Sequence, residues 1–188
     1  MMRKILEFLK IVAISLLIVI PIRYFLINPF YVKGPSMEPN FYDREYLMVD
    51  EISYRFHTPA RGDVIVFRYP NNPQEYFIKR VIGLPGEKVE FKDGQVWIYN
   101  EQNPLGFELN EDQYLDPSIK TNYAQSDSYT LKDQEYLVLG DNRPASQDSR
   151  YFGPLNKSFI VGRVMWRGWP FDRMTVFKTP TYASSSIK

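Results

Sequence analysis

Lys79 occupies a position that is costly for a charge. The run Tyr76 to Ile82 alternates as a strand does, so Lys79 shares its face with Phe77 and Val81. An ammonium on an apolar face loses hydration and its pKa falls. A neutral amine near pH 7 can then act as a general base. An edge-strand lysine that returns its head to water fits the same pattern. Ser36 stands in Gly34-Pro35-Ser36-Met37-Glu38-Pro39, a segment that two prolines and a glycine keep out of helix and regular strand. A rigid loop can present a hydroxyl as a nucleophile, and Gly34 leaves backbone N–H groups approachable by an oxyanion. A serine in a proline-rich turn is equally a plain turn residue. The third cluster is the polar run Gly140 to Arg150, directly after the apolar Tyr136 to Leu139. Its spacing fits neither a calcium loop nor a phosphate loop, and Asp148 and Arg150 read as an ion pair that pins the loop.

What is missing narrows the chemistry further. The chain has no Cys and a single His, His57, which excludes thiol chemistry, disulfides and Cys-ligated metal, and leaves no residues for a histidine metal cluster. No metal and no cofactor is expected. A hydrolase built here would take its base from a lysine or a carboxylate. Lys plus Arg is 23 against 22 Asp plus Glu, so the chain lacks the charge excess of a nucleic-acid binder. Neither Gly-x-Ser-x-Gly nor an internal Ser-x-x-Lys occurs, the one such spacing being Ser185 to Lys188 at the C-terminus. Arg61-Gly62-Asp63 reads as a turn before a strand, and Asn156-Lys157-Ser158 as a chance glycosylation triplet.

The elements that would position these residues follow from hydrophobic patterning. From Ile11 to Ile22 no residue is charged, and Ile5 to Ile27 as one helix would cover roughly 35 Å, enough for a hydrocarbon layer of about 30 Å. A cleaved signal peptide would need small residues at its end, and Arg23 to Tyr31 supplies none. Arg3, Lys4 and Lys10 orient such an anchor with its N-terminus in the cytoplasm and the remaining chain outside. Past Pro29, short apolar runs punctuated by Gly, Pro, Asn and Asp read as strands: 30–33, 46–49, 63–68, 76–82, 88–92, 96–99, 135–139 and 160–167. Residues 84–135 carry eleven acidic side chains against four lysines, which suggests an inserted subdomain or simply a solvated acidic stretch. The serine-rich end, 179–188, reads as a flexible tail.

Four segments together resemble the bacterial type I signal peptidases, membrane-anchored enzymes that remove signal peptides from exported proteins. They are Ser36-Met37-Glu38-Pro39; Arg61-Gly62-Asp63-Val64-Ile65-Val66-Phe67; Ile78-Lys79-Arg80-Val81-Ile82-Gly83-Leu84-Pro85-Gly86-Glu87; and Gly140-Asp141-Asn142-Arg143 through Ser146, Asp148, Ser149 and Arg150 to Gly153. The resemblance implies Ser36 as nucleophile, Lys79 as general base, Ser146 as the serine that orients the lysine, and Asp148 with Arg150 as a structural ion pair. It also implies that Val32, Gly34, Met37, Phe77 and Ile78 line shallow pockets for the small side chains of an Ala-x-Ala site. Many members carry a serine where this chain has Gly34, so the oxyanion hole is expected from the backbone N–H groups of Gly34 and Ser36. Phe30, Tyr31, Trp166, Trp169 and Phe171 could form an apolar rim touching the bilayer, or belong to the core.

The expected fold is mostly β: an antiparallel core with an inserted β subdomain, preceded by a single transmembrane helix. Its parts are a cytoplasmic tip and anchor at 1–28, a catalytic core at 29–83 and 136–178, the insertion at 84–135 and the tail. Exported preproteins and the phospholipid membrane are the expected partners, the translocation channel is left open, and nucleic acid is excluded. Two rivals stand beside the peptidase. A self-cleaving repressor would carry a DNA-binding helical module where this chain is apolar. An idle membrane-anchored protein that binds signal peptides or subunits would be marked by loss of Ser36 or Lys79.

Overall fold

The computed structural model describes residues 2–25, 27–180 and 182. Helix α1 (Met2–Phe25) forms over the apolar N-terminal run, and its side chains from Arg3 to Leu17 are exposed. The helix stops short of Ile27 because the chain turns extended into β1 (Ile27–Tyr31), whose Pro29 has no N–H for a helical bond. Among the described residues no helix is long and apolar enough to cross a membrane. Arg3, Lys4, Glu7 and Lys10 dilute the first half of α1, so the spanning helix expected from the sequence is not supported by this structure.

The strands that follow are β2 (Tyr46–Asp50), β3 (Val64–Tyr69), β4 (Asn72–Gly83), β5 (Lys88–Lys92), β6 (Gln95–Asn100), β7 (Asn103–Glu108), β8 (Ser128–Thr130), β9 (Glu135–Leu139), β10 (Leu155–Asn156), β11 (Ile160–Trp169) and β12 (Thr175–Val176). Two short helices, α2 (Ser53–Phe56) and α3 (Ser149–Phe152), sit between them. Eight strands make one sheet in the order β1-β2-β11-β3-β4-β9-β10, with β12 added to β11, and four make a second in the order β7-β6-β5-β8. Every pairing is antiparallel. The mostly β, antiparallel expectation therefore holds. Strands β7, β8, β10 and β12 were not expected; three of them are only two or three residues long, and β7 (Asn-Pro-Leu-Gly-Phe-Glu) carries the Pro and Gly that normally argue against a strand.

Burial follows the side-chain pattern of each strand. Val64 to Phe67 of β3 are buried on both faces, as a central strand requires, whereas β5 and β6 bury alternate residues: Val89 and Phe91, then Val96 and Ile98. One core, with Met37, Phe41, Leu47, Val49, Val64, Val66 and Val164, lies beneath the Ser36 loop. A second packs Ile65, Phe67, Val81, Tyr136, Val138 and Leu155 on the other face. The third joins the two sheets, with Ile82, Leu137 and Leu139 against Val89, Phe91, Val96 and Ile98. Gly83 marks that junction, because a Cβ there would fall 2.5 Å from Val89 Cγ2 and 2.7 Å from Leu131 Cδ1.

The described part of the tail is packed, contrary to its serine-rich sequence. Thr179 Oγ1 donates to Asp63 Oδ1 at 2.5 Å, Pro180 lies over Gly62, and Tyr182 OH donates to Tyr114 OH at 3.2 Å. The aromatic ring of Tyr182 and the proline supply the apolar contacts that the serines suggested were absent. The remainder of that expectation, Thr181 and 183–188, falls outside the described residues.

Candidate active site

Ser36 lies in the turn that leaves β1, and Lys79 projects from the middle of β4. Their side chains meet: Lys79 Nζ donates to Ser36 Oγ at 2.7 Å and to the Ile78 carbonyl at 2.8 Å. Lys79 is only 3% exposed, and its amine sits 5.3 Å from the centre of the Phe77 ring. Burial pushes its pKa down to about 8, against the opposing pull of the Asp148 and then the Asp141 carboxylates. The desolvation argued from strand alternation is thus present, and the snorkelling alternative is not.

The run Gly140 to Arg150 closes over this pair. The Asn142 N–H donates to the Ser36 carbonyl at 3.1 Å, and Asn142 Nδ2 to the Pro35 carbonyl at 3.1 Å. Gly140 is packed so closely that a Cβ would lie 2.5 Å from the Ser36 carbonyl oxygen and 2.1 Å from Ser146 Oγ. Asp148 holds the loop from within, accepting from the Gly140 N–H at 3.0 Å and from Arg150 Nε and Nη2 at 2.8 and 2.9 Å. The ion pair read from the sequence is formed and fully buried. Ser146 is buried beside Gly140, but among the described residues its Oγ finds no hydrogen-bond partner. The expected bond from Ser146 to Lys79 is therefore not made here; the lysine spends its donors on Ser36 and Ile78.

Two further expectations change. The Gly34 N–H donates to Asp43 Oδ1 at 2.8 Å, because the turn from Val32 to Glu45 folds back on itself and places that carboxylate over the amide. It is not free to receive an oxyanion. Among the described residues the Ser36 N–H takes no internal partner, and it remains the backbone donor at this point. Met37, expected in the substrate pocket, is fully buried in the core, where its sulfur accepts from the Asp141 N–H at 3.4 Å.

Ser36 and Lys79 lie at the base of an open cleft of about 700 Å³. Val32, Gly34, Phe77 and Ile78 line it as expected, and Phe30 and Tyr31 form part of its edge. Trp166, Trp169 and Phe171 do not line it, although Trp169 and Phe171 are exposed and stack edge to face at 4.7 Å. Leu47, Val66, Ala145 and Gln147 are among the further lining residues that were missed. The register Val66↔Ile78 puts Val66 beside an expected pocket residue, but strand partners are not written in one sequence. The wall beyond Phe77 is fixed by Tyr69, which stacks on it at 4.5 Å and accepts from Gln147 Nε2 at 2.9 Å.

The largest group missed is the ionic framework behind the cleft. Arg80 forks onto Asp141 with bonds of 2.8 and 2.6 Å and stacks on the Tyr114 ring at 4.1 Å. Asn40 Nδ2 bridges the Asp141 carboxylate at 2.9 Å and the Tyr114 carbonyl at 2.7 Å. A signal existed: Arg80 is a second cation in an apolar strand and points opposite to Lys79.

A desolvated amine held on a loop hydroxyl, in an open cleft on a β scaffold, has the makings of a hydrolase that uses serine. The comparisons with known proteins narrow this. The family model described as "Signal peptidase, peptidase S26" matches residues 5–169. Signal peptidase IB of Staphylococcus aureus (strain COL) is 34% identical over 180 residues, covering 92% of this chain and 93% of that protein. Signal peptidase I of Leptolyngbya laminosa is 37% identical over 175 residues, covering 89% and 81%. A crystal structure of a signal peptidase I from Enterococcus faecalis V583 matches at 33% identity with a TM-score of 0.46, covering 57% of this chain and 97% of that one. The chain belongs to the signal peptidase, peptidase S26, family, and through that membership it is a serine endopeptidase.

Proposed function

We propose that this chain removes N-terminal signal peptides from exported preproteins, cutting after small-x-small sites with Ser36 as nucleophile and Lys79 as general base. The observation that carries this reading is the 2.7 Å contact between a buried Lys79 amine and Ser36 Oγ. The neutral amine takes the hydroxyl proton as Ser36 attacks the carbonyl of the last signal-peptide residue. The Ser36 N–H stabilises the developing oxyanion, and the lysine returns its proton to the leaving amine. Water, activated by the same amine, then releases the acyl group. Val32, Phe77 and Ile78 line the cleft beside Ser36, and the resemblance to the family assigns them to pockets for small side chains beside the cut.

On this reading α1 attaches the enzyme to the membrane, with the catalytic region outside the cytoplasm. The uncharged run 11–22 and the basic Arg3, Lys4 and Lys10 support that attachment. Resistance of the chain to alkaline carbonate extraction, and protease access from the outer side, would test it. The decisive experiment is cleavage of a preprotein with an Ala-x-Ala site by the detergent-solubilised protein, with the new N-terminus sequenced. Cleavage after the last Ala, lost in Ser36→Ala and in Lys79→Ala, is expected. Equal cleavage by wild type and Ser36→Ala would overturn the assignment.

A further inference from the structure

The loop that meets Ser36 is held from outside the catalytic sheet. Arg143 is buried, and its guanidinium faces two ways. Nη1 and Nη2 fork onto Glu111 Oε2 and Oε1 at 2.9 and 2.5 Å, and Nη1 also donates to Thr121 Oγ1. On its other side Nε donates to the Gly140 carbonyl at 3.1 Å. Gly140 packs directly on the Ser36 carbonyl. Glu111 is thus three links from the serine, through Arg143 and Gly140. Arg150 repeats the arrangement: it grips Asp148 and the Arg143 carbonyl, while Nη1 donates to the Asn122 carbonyl at 3.2 Å. In return the Gln125 N–H donates to the Arg150 carbonyl at 3.2 Å.

We propose that Glu111 is a positioning residue for the reaction, and that segment 111–125 acts through Arg143 and Arg150 as a brace setting the Gly140–Ser36 contact. The acidic stretch is then more than a solvated surface. Its Glu111 is a buried partner rather than one of the exposed acids. A bidentate guanidinium–carboxylate pair fixes both distance and plane, so the Gly140 carbonyl is held in one place relative to the serine. An ångström of slack in such a support costs about a hundredfold in rate when it reaches the reacting atoms.

The inference rests on the Ser36/Lys79 reading, and the test separates the two. Steady-state cleavage of an Ala-x-Ala preprotein would be measured for wild type, Ser36→Ala, Glu111→Gln and Thr121→Val at a temperature where melting curves show each variant folded. Glu111→Gln keeps the shape and loses the charged fork. Its kcat is expected to fall about ten- to hundredfold with KM within about twofold. Thr121→Val, which keeps the fork and removes one acceptor, should lose about two- to fivefold in kcat. A merely structural ion pair would lower the melting temperature and leave kcat alone, and that result for folded Glu111→Gln would overturn the proposal. If Glu111→Gln does not fold, Thr121→Val decides, and wild-type kcat there is the overturning result. Full cleavage by Ser36→Ala would instead remove the catalytic reading itself.

Discussion

Lys79 and the arginines behind it are neighbours in one structure and are treated in opposite ways. Arg80, Arg143 and Arg150 are each buried, and each is forked onto a carboxylate: Asp141, Glu111 and Asp148. Lys79 is as deeply buried, yet its direct partners are a hydroxyl and a carbonyl, both neutral. Burying a charge with a bonded opposite charge makes a fixed strut; burying it without one makes a group that gives up its proton. The carboxylates of Asp148 and Asp141 act on Lys79 only through space, moderating the fall of its pKa to about 8. On the proposed mechanism function sits where the pairing rule is broken, and rigidity where it is obeyed.

The sharpest way to break the contrast is to remove the unpaired cation or the hydroxyl it serves. Lys79→Met and Ser36→Ala are each expected to lower kcat/KM by about 10³-fold or more, as loss of a nucleophile or its base does in comparable enzymes. Both should fold, since methionine fills the lysine's apolar surroundings. Single-turnover cleavage beside melting curves would check this, and substantial cleavage by Lys79→Met would make the lysine another strut. Gly140→Ala attacks the frame instead. Its new Cβ would lie 2.1 Å from Ser146 Oγ and 2.5 Å from the Ser36 carbonyl, so the loop must move away from the serine. A drop of about a hundredfold in kcat is expected, with KM nearly unchanged.

Titration reads the same difference without a mutation. On the proposed mechanism the working form of Lys79 is neutral, so log(kcat/KM) should rise with slope one below a midpoint of about 8 and level off above it. At pH 7 roughly a tenth of the enzyme is then active. Stability has its own sign. The folded pKa lies below the unfolded value, so between about 8 and 10.5 the unfolded chain binds the extra proton, and stability climbs with pH across that window. Lys79→Met should abolish that climb. A wild-type chain whose stability is flat there would show that burial does not depress the lysine.

How much of this was legible in the sequence divides along the same line. The uncompensated pair was flagged locally, because a lysine between Phe77 and Val81 contradicts its local pattern and a serine between two prolines stands outside any regular element, but a snorkelling lysine and a plain turn serine fitted equally until the family resemblance joined them. Strands 88–92 and 135–139 were readable to the residue, since alternation in the first, a continuous apolar run in the second, and flanking turn signals are all local. Of the struts only the local pair Asp148–Arg150 was readable; the other two were not. Glu111 and Arg143 are 32 residues apart, and Arg80 and Asp141 are 61 apart, so only tertiary pairing reveals them. The acidic composition of 84–135 gave no sign of them either, because the buried Glu87 and Glu111 stand among exposed carboxylates. Similarly, the availability of the Gly34 amide depended on where Asp43 came to rest, and the turn decides that rather than the glycine.

Gly34→Ala gives the smallest effect and the finest division between space and strain. Gly34 has φ +88°, yet an added Cβ would meet nothing within 4 Å. Its amide is committed to Asp43, so the substitution leaves the proposed oxyanion donor, the Ser36 N–H, where it is. The cost is then conformational, about 1 kcal/mol of stability for a side chain held in the left-handed region. Turnover at saturating substrate should change by less than about threefold. A large fall in kcat without a matching loss of stability would mean that the Gly34 backbone reaches the transition state directly. The bond to Asp43 would then have to open when substrate binds. Asp43→Asn separates the cases: it keeps an acceptor for the Gly34 N–H while weakening the bond, so a rise in kcat would reveal an amide competing for the oxyanion, and an unchanged kcat would leave Ser36 as the backbone donor.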